Sequence, residues 1–159
     1  MIGFYGRFAM VSVLFAAACG GSGSGGGSNA SVTITAPQSG ASVALGTDSL
    51  KSVPVSFTLS NFTLMAPGTC GGAANCGHLH LVIDGYTSPC NTLAGVGTEK
   101  YNVQITTGTT TSAQFASCGG TAAGAHTLTL EVHDDAHGDV NDSNGNLIKS
   151  APVSITTHN

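Results

Sequence analysis

An all-β sandwich is what this sequence predicts, and three observations predict it. Apolar residues alternate with polar ones in short runs, and outside the first eighteen residues no run repeats at helical spacing. The runs are bounded by Gly, Pro, Asn and Asp, the residues of turns. Charged residues make up only 8% of the chain, tryptophan is absent, and Thr, Ser, Gly and Val abound, which suits an exported β-protein.

Taken in order, residues 32–35 form a first strand, ended by Ala36-Pro37 and the turn residues Gln38, Ser39 and Gly40. Residues 41–45 are a short second strand. Residues 53–59 place Val53, Val55, Phe57 and Leu59 on one face, and Pro54 suits a strand's beginning or an edge. A Gly- and Cys-containing loop leads to residues 78–84, which end at Asp84-Gly85. Residues 101–105 and 112–116 follow; residues 127–133 are the clearest strand, and residues 151–157 close the domain. Seven or eight short antiparallel strands in roughly 130 residues predict an Ig-like β-sandwich. The Trp and inter-sheet disulfide of antibody domains are missing, so Ig-like here means architecture.

The sandwich occupies residues 31–159 and is preceded by two appendages. Residues 1–18 combine one positive charge, Arg7, with an apolar run of signal-peptide length, too short for a comfortable membrane span. Cys19 directly follows Ala16-Ala17-Ala18 and opens a Gly/Ser tract. That order resembles a bacterial lipoprotein signal, in which the Cys is lipidated and becomes the mature N-terminus. It departs at Ala16, where such signals usually carry Leu; ordinary secretion with cleavage after Ala18 is the competing reading. Gly20, rather than Asp, after the Cys implies sorting to the outer membrane, with the domain facing the periplasm or the surface. Several acyl chains anchor stably where one does not. Residues 19–30 would then be a lipidated tether, its Gly/Ser part spanning roughly 15–20 Å.

The domain keeps Lys51, Lys100 and Lys149 against eight carboxylates. This mildly acidic balance, with no basic patch, excludes nucleic acid as the expected partner. Cys70, Cys76, Cys90 and Cys118 form an even set, read in an exported domain as two disulfides with three possible connectivities. Cys70 and Cys76 look like a small local loop, which leaves Cys90 with Cys118, a closure worth about 3–4 kcal/mol. A thiolate metal site is the rival reading, disfavoured by the lack of Cys-x-x-Cys.

Any site chemistry has to sit with the histidines. Five of the six fall in two stretches: His78 and His80, then His126, His133 and His137. In an Ig-like order the strand from His78 takes position C and that ending at His133 takes position F, antiparallel neighbours. The start of one then lies beside the end of the other. With Leu79, Leu81 and Ile83, and Leu128, Leu130 and Val132, as the apolar sets, His78, His80, Glu131 and His133 share the outer, solvent-facing side. Strands are about 4.8 Å apart, so these surface imidazoles can converge on one ion, with His137 folding back as a fourth ligand. Three or four imidazoles without thiolate suit Zn²⁺ or Cu²⁺. Asp134 and Asp135 are candidates to ligate or to orient an imidazole. The alternative is a polar sheet face with no ligand. His126 lies roughly 20 Å from His133 at strand rise and has core parity, so it reads as a hydrogen-bonded histidine at a strand end. Asp139, Asn141 and Ser143 have calcium-loop spacing, but Asn144 and Ser150 replace the Gly and Glu that such a loop needs. An ordinary turn at Asn144-Gly145-Asn146 is the preferred reading.

The segments 77–85 and 124–128, with His133 and His137 after them, resemble a group of exported bacterial proteins with an Ig-like domain, many of them lipoproteins of Gram-negative bacteria. The resemblance covers most of the domain, Cys90 and Cys118 included. It implies the sandwich and the compartment and carries no activity. Gly77-His78-Leu79-His80 is also similar to the metal-binding strand of copper–zinc superoxide dismutase, but no His-rich zinc loop follows His80. Periplasmic copper carriers are similar in compartment and fold class, yet the three Met residues here form no Met-rich site. The expected function is therefore a membrane-anchored, non-catalytic module holding Zn or Cu. A structural or adhesive surface domain with an envelope or surface protein partner is the alternative. A metal-dependent enzyme, dismutase-like or hydrolytic, is the weaker one, since no Gly-x-Ser-x-Gly elbow is present.

Overall fold

The computed structural model describes residues 28–159; the expected signal peptide and most of the expected tether lie outside the described residues. The chain forms two sheets face to face, an Ig-like all-β sandwich. One sheet holds β1 (Ser31–Ala36), β3 (Ser52–Ser60) and β9 (Thr110–Gln114), with β3 in the middle. The other runs β2 (Ala41–Ala44), β11 (Val153–His158), β10 (Gly124–Asp134), β5 (Cys76–Ile83) and β4 (Thr63–Leu64), and β8 (Val103–Ile105) also pairs with β5. A small hairpin of β6 (Leu93–Ala94) and β7 (Lys100–Tyr101) stands apart from both.

Alternation built the sheets as expected. Val53, Val55 and Phe57 from β3 meet Leu128, Leu130 and Val132 from β10, and all are buried. Each such side chain taken from water contributes about 1.5–3 kcal/mol. Pro54 falls where β3 has a partner on one side only, because β9 pairs with Ser52–Ser56 while β1 pairs with Ser56–Ser60. The missing N–H of Pro54 therefore interrupts no ladder on the β1 side. Asp84 and Gly85 both take positive φ, 55° and 77°, which makes the turn after β5 one that Asp-Gly suits.

Three expectations are corrected. The strand expected at 101–105 is split at Asn102. Its buried carboxamide donates to the carbonyls of Cys90 and Gln114 and accepts from the Gln114 N–H, while its backbone N–H donates to the Leu81 carbonyl of β5. The strand expected at 112–116 ends at Gln114, and a short 3-10 segment, Ala116–Thr121, carries Cys118 to Cys90. The strand expected at 151–157 begins only at Val153, after Pro152. The two-residue strands β4 and β6 had no periodic signature to find. The disulfides are Cys70–Cys76 and Cys90–Cys118, bonds that persist in oxidising compartments and so accord with export. Among the described residues no helix is long and apolar enough to cross a membrane.

Residues 139–147 are a turn rather than a calcium loop. The Asp142 carboxylate accepts the N–H groups of Asn144 and Asn146, Gly145 takes positive φ, and Asn141 bridges Leu147. Ser150 is buried, its hydroxyl accepting the Leu130 N–H.

Candidate metal centre

The histidine cluster is set by one register. β5 and β10 pair antiparallel with His78 opposite His133 and His80 opposite Glu131. The two-residue side-chain period then puts these four on the face turned away from the core. Gly77 permits that approach: a Cβ there would strike the His133 carbonyl oxygen and lie 2.8–2.9 Å from Asp134 backbone atoms.

The outer face is not a solvent surface, which corrects the expectation of surface histidines. His78, His80 and His133 are 0%, 1% and 0% exposed. Side chains from outside the β5–β10 pair cover them. Tyr101 of β7 stacks on His80 at 3.6 Å between ring centroids and 12° between planes, and His133 packs on His80 at 4.0 Å. Tyr86 reaches over to donate its hydroxyl to Glu131, 3.0 and 2.9 Å from the two carboxylate oxygens. The chain after β10 folds back along its edge, with Asp139 bridging His133 and Lys149 bridging Glu131, which brings the Asp139 side chain beside His133.

His137 arrives through a tight turn. The Asp134 carboxylate accepts the N–H groups of Ala136 and Gly138 at 2.8 and 2.7 Å, and the Asp134 N–H donates to the Gly138 carbonyl. His137 sits in the turn with φ of 65°, a conformation that costs a residue with a Cβ about 1 kcal/mol. Asp135 accepts the N–H groups of Thr69 and Cys70, tying the small disulfide loop to the turn. Both aspartates thus hold backbone, and neither orients an imidazole as the sequence had suggested.

Three ring nitrogens converge. His78 Nε2 lies 3.1 Å from His80 Nε2 and 3.1 Å from His137 Nδ1. His78, His80 and His137 form a group able to hold a metal ion. His133, expected as a ligand alongside His78 and His80, instead groups with Glu99 and Asp139, while His137, expected to fold back as the fourth, completes the first group. Its Nδ1 is 3.6 Å from Asp139 Oδ1 and its Nε2 3.9 Å from Glu131 Oε2, too far for hydrogen bonds. Both His133 nitrogens and His78 Nδ1 are buried and have no hydrogen-bond partner among the described residues. Burial, reinforced by the neighbouring imidazoles, lowers the pKa of His78 to about 4 and that of His80 to about 2, so both are neutral at physiological pH. Neutral imidazole is the form that ligates.

His126 stands at the other end of β10, paired with Ile155 of β11. Its Nδ1 is 2.7 Å from Asp84 Oδ2, its Nε2 3.3 Å from the Ala122 carbonyl, and its ring meets Phe115 edge-on. Asp84, His126 and Cys90 are close together, but the Cys90 sulfur is bound to Cys118 and is no thiolate ligand. The site residues that sequence reasoning missed are Glu99, Tyr101 and Tyr86. All lie between β5 and β8, on loops and the short β6–β7 hairpin, where no spacing in the sequence links them to the histidines.

No family model matches the chain, and no curated protein matches it. Among solved structures, the fibronectin(III)-like modules of Clostridium thermocellum CbhA are similar, with 17% identity over 79% of this chain and 93% of that one, at a TM-score of 0.42. A likeness of this degree assigns no chemistry, which lies in the side chains just described.

Proposed function

We propose that this is an exported, lipid-anchored, non-catalytic binding module whose Ig-like domain holds one Zn²⁺ or Cu²⁺ through His78, His80 and His137. The observation that carries the reading is the double contact of His78 Nε2. A neutral imidazole nitrogen offers either one N–H or one lone pair, so it satisfies a single hydrogen-bonding neighbour. Here it has two at 3.1 Å. A cation at the point of convergence accepts all three lone pairs at once. Ligands about 2.0–2.1 Å from a tetrahedral Zn²⁺ lie about 3.3 Å from one another, close to the 3.1 Å at which His78 Nε2 stands from each of the other two nitrogens. The fourth position would remain for water or a partner's ligand. A donor set of three imidazoles without thiolate favours Zn²⁺ or Cu²⁺ over Ca²⁺ or Mg²⁺, which take oxygen ligands.

Anchoring through Cys19 to the outer membrane supplies the setting in which the domain meets a partner of the envelope. The test is isothermal titration of the chelator-treated full-length chain with Zn²⁺ and with Cu²⁺ at neutral pH. Micromolar or tighter binding, lost in a His78→Gln/His80→Gln variant, is expected. No binding, or binding unchanged in that variant, overturns the reading.

A further inference from the structure

The geometry points to a second divalent-cation site beside the first, formed by Glu99, His133 and Asp139, which makes the outer face of β5 and β10 a two-metal centre. His133 is the key group. It is wholly buried, and among the described residues neither ring nitrogen has a hydrogen-bond partner, an arrangement that is costly for a buried polar group. Such a cost needs a reason, and the nearest groups supply one. Asp139 Oδ1 lies 3.6 Å from His133 Nδ1, and one ligand atom each from Glu99, His133 and Asp139 fall within 4.8 Å of one another. Glu131 stands on the other side, 3.9 Å from Nε2.

Charge makes the same case. Glu99, Asp139 and Glu131 surround one imidazole, and among the described residues no Lys or Arg forms a salt bridge with them. Burial and the repulsion of Asp139 push the Glu99 carboxyl above the usual carboxylate range. A divalent cation accepts the His133 Nδ1 lone pair and offsets two of these charges. Glu99 is half-buried and Asp139 exposed, so their side chains can close the remaining ångström onto an ion, while the packed His133 ring stays fixed. Asp139 also lines an open cleft of about 690 Å³ shared with Asp134, Asp135 and Asp142, whose negative field draws cations toward it.

The ligand class differs from that of the first site. One imidazole with two carboxylates accepts Zn²⁺, Mn²⁺, Fe²⁺ or Co²⁺, and is a poorer choice for Cu⁺. The His80 and His133 rings, 4.0 Å apart, form the wall between the two sites. The sites share no ligand, so each stands or falls separately.

The experiment is a Zn²⁺ titration of the full-length chain, read as equivalents bound, in wild type, in Glu99→Gln/Asp139→Asn and in His78→Gln/His80→Gln. Two equivalents in wild type and one in each variant are expected. The amide variant should melt with wild type when metal-free, since neither carboxylate is a core group. Two equivalents retained in Glu99→Gln/Asp139→Asn overturn the second site. A single wild-type equivalent that this variant keeps and the histidine variant loses also overturns it, and leaves the three-histidine reading standing. A single equivalent lost only in the amide variant supports the second site and overturns the first. No binding overturns both.

Discussion

Gly77→Ala is the substitution for which the structure gives the most definite consequence. Gly77 pairs with Asp134 across the β5–β10 ladder, one position from the His78–His133 pair. An alanine Cβ would run into the His133 carbonyl oxygen and approach Asp134 Cα and C at 2.9 and 2.8 Å. These are backbone atoms inside a ladder, so no flexible side chain can move aside, and the strands must separate locally. Gly77 does not have positive φ, so the cost is steric rather than conformational. Overpacking of this kind costs about 1–3 kcal/mol, and contact with two backbone units puts this case at the upper end. At 2–4 °C per kcal/mol for a domain of this size, melting should fall by about 6–12 °C. Metal affinity should fall with it, because separation at Gly77 moves His78 and His80, both on β5, away from His137, which follows β10. The assay is thermal denaturation of the metal-free protein, with Gly120→Ala as control, since a Cβ there meets nothing within 4 Å. A Gly77→Ala midpoint equal to that of the control would refute the close pairing of β5 with β10.

The other predictions concern the histidines and the larger disulfide. His126→Ala should destabilise by about 1–3 kcal/mol through the lost Asp84 contact and Phe115 packing, while zinc stoichiometry stays at the wild-type value; a lost equivalent would make His126 a ligand. Acidification should weaken the metal-free protein. The folded-state pKa of His78, about 4, lies below the ordinary value of 6.5, so the unfolded chain takes up protons first. His80 acts in the same direction. Stability is therefore full above about pH 6.5 and is lost as the pH falls toward 4, by on the order of 2–3 kcal/mol from His78 alone. A denaturation midpoint that is flat or rises between pH 7 and pH 4.5 would contradict this. Replacing both Cys90 and Cys118 by Ala opens a loop of sequence separation 28 and should cost about 3.5 kcal/mol in a denaturant series. The same change at Cys70 and Cys76, with separation 6, should cost about 2 kcal/mol.

Much of the fold was legible because alternation reports burial directly. Val53, Val55 and Phe57, and Leu128, Leu130 and Val132, name the inner faces of their strands from the sequence alone. Strand order then brought His78 beside His133, and parity set His126 apart. The composition of the cluster was only half legible. His137 reaches His78 because Asp134 caps a turn in which His137 itself takes positive φ, and nothing periodic announces such a turn. The cover over the histidines was not legible. It depends on Tyr101 leaving its strand at Asn102, on Tyr86 reaching Glu131, and on residues after β10 folding back. These are tertiary accidents of irregular segments, and they turned an expected surface into a buried polar site. The same cover accounts for Glu99, which came to His133 on a hairpin of two-residue strands.

The most direct test of the central claim is the X-ray absorption spectrum of the zinc-loaded Glu99→Gln/Asp139→Asn variant, in which only the three-histidine site remains. Three nitrogen ligands at about 2.0–2.1 Å, with the outer scattering of imidazole rings, are expected. A first shell of oxygen alone, without imidazole scattering, would contradict the claim that His78, His80 and His137 hold the ion.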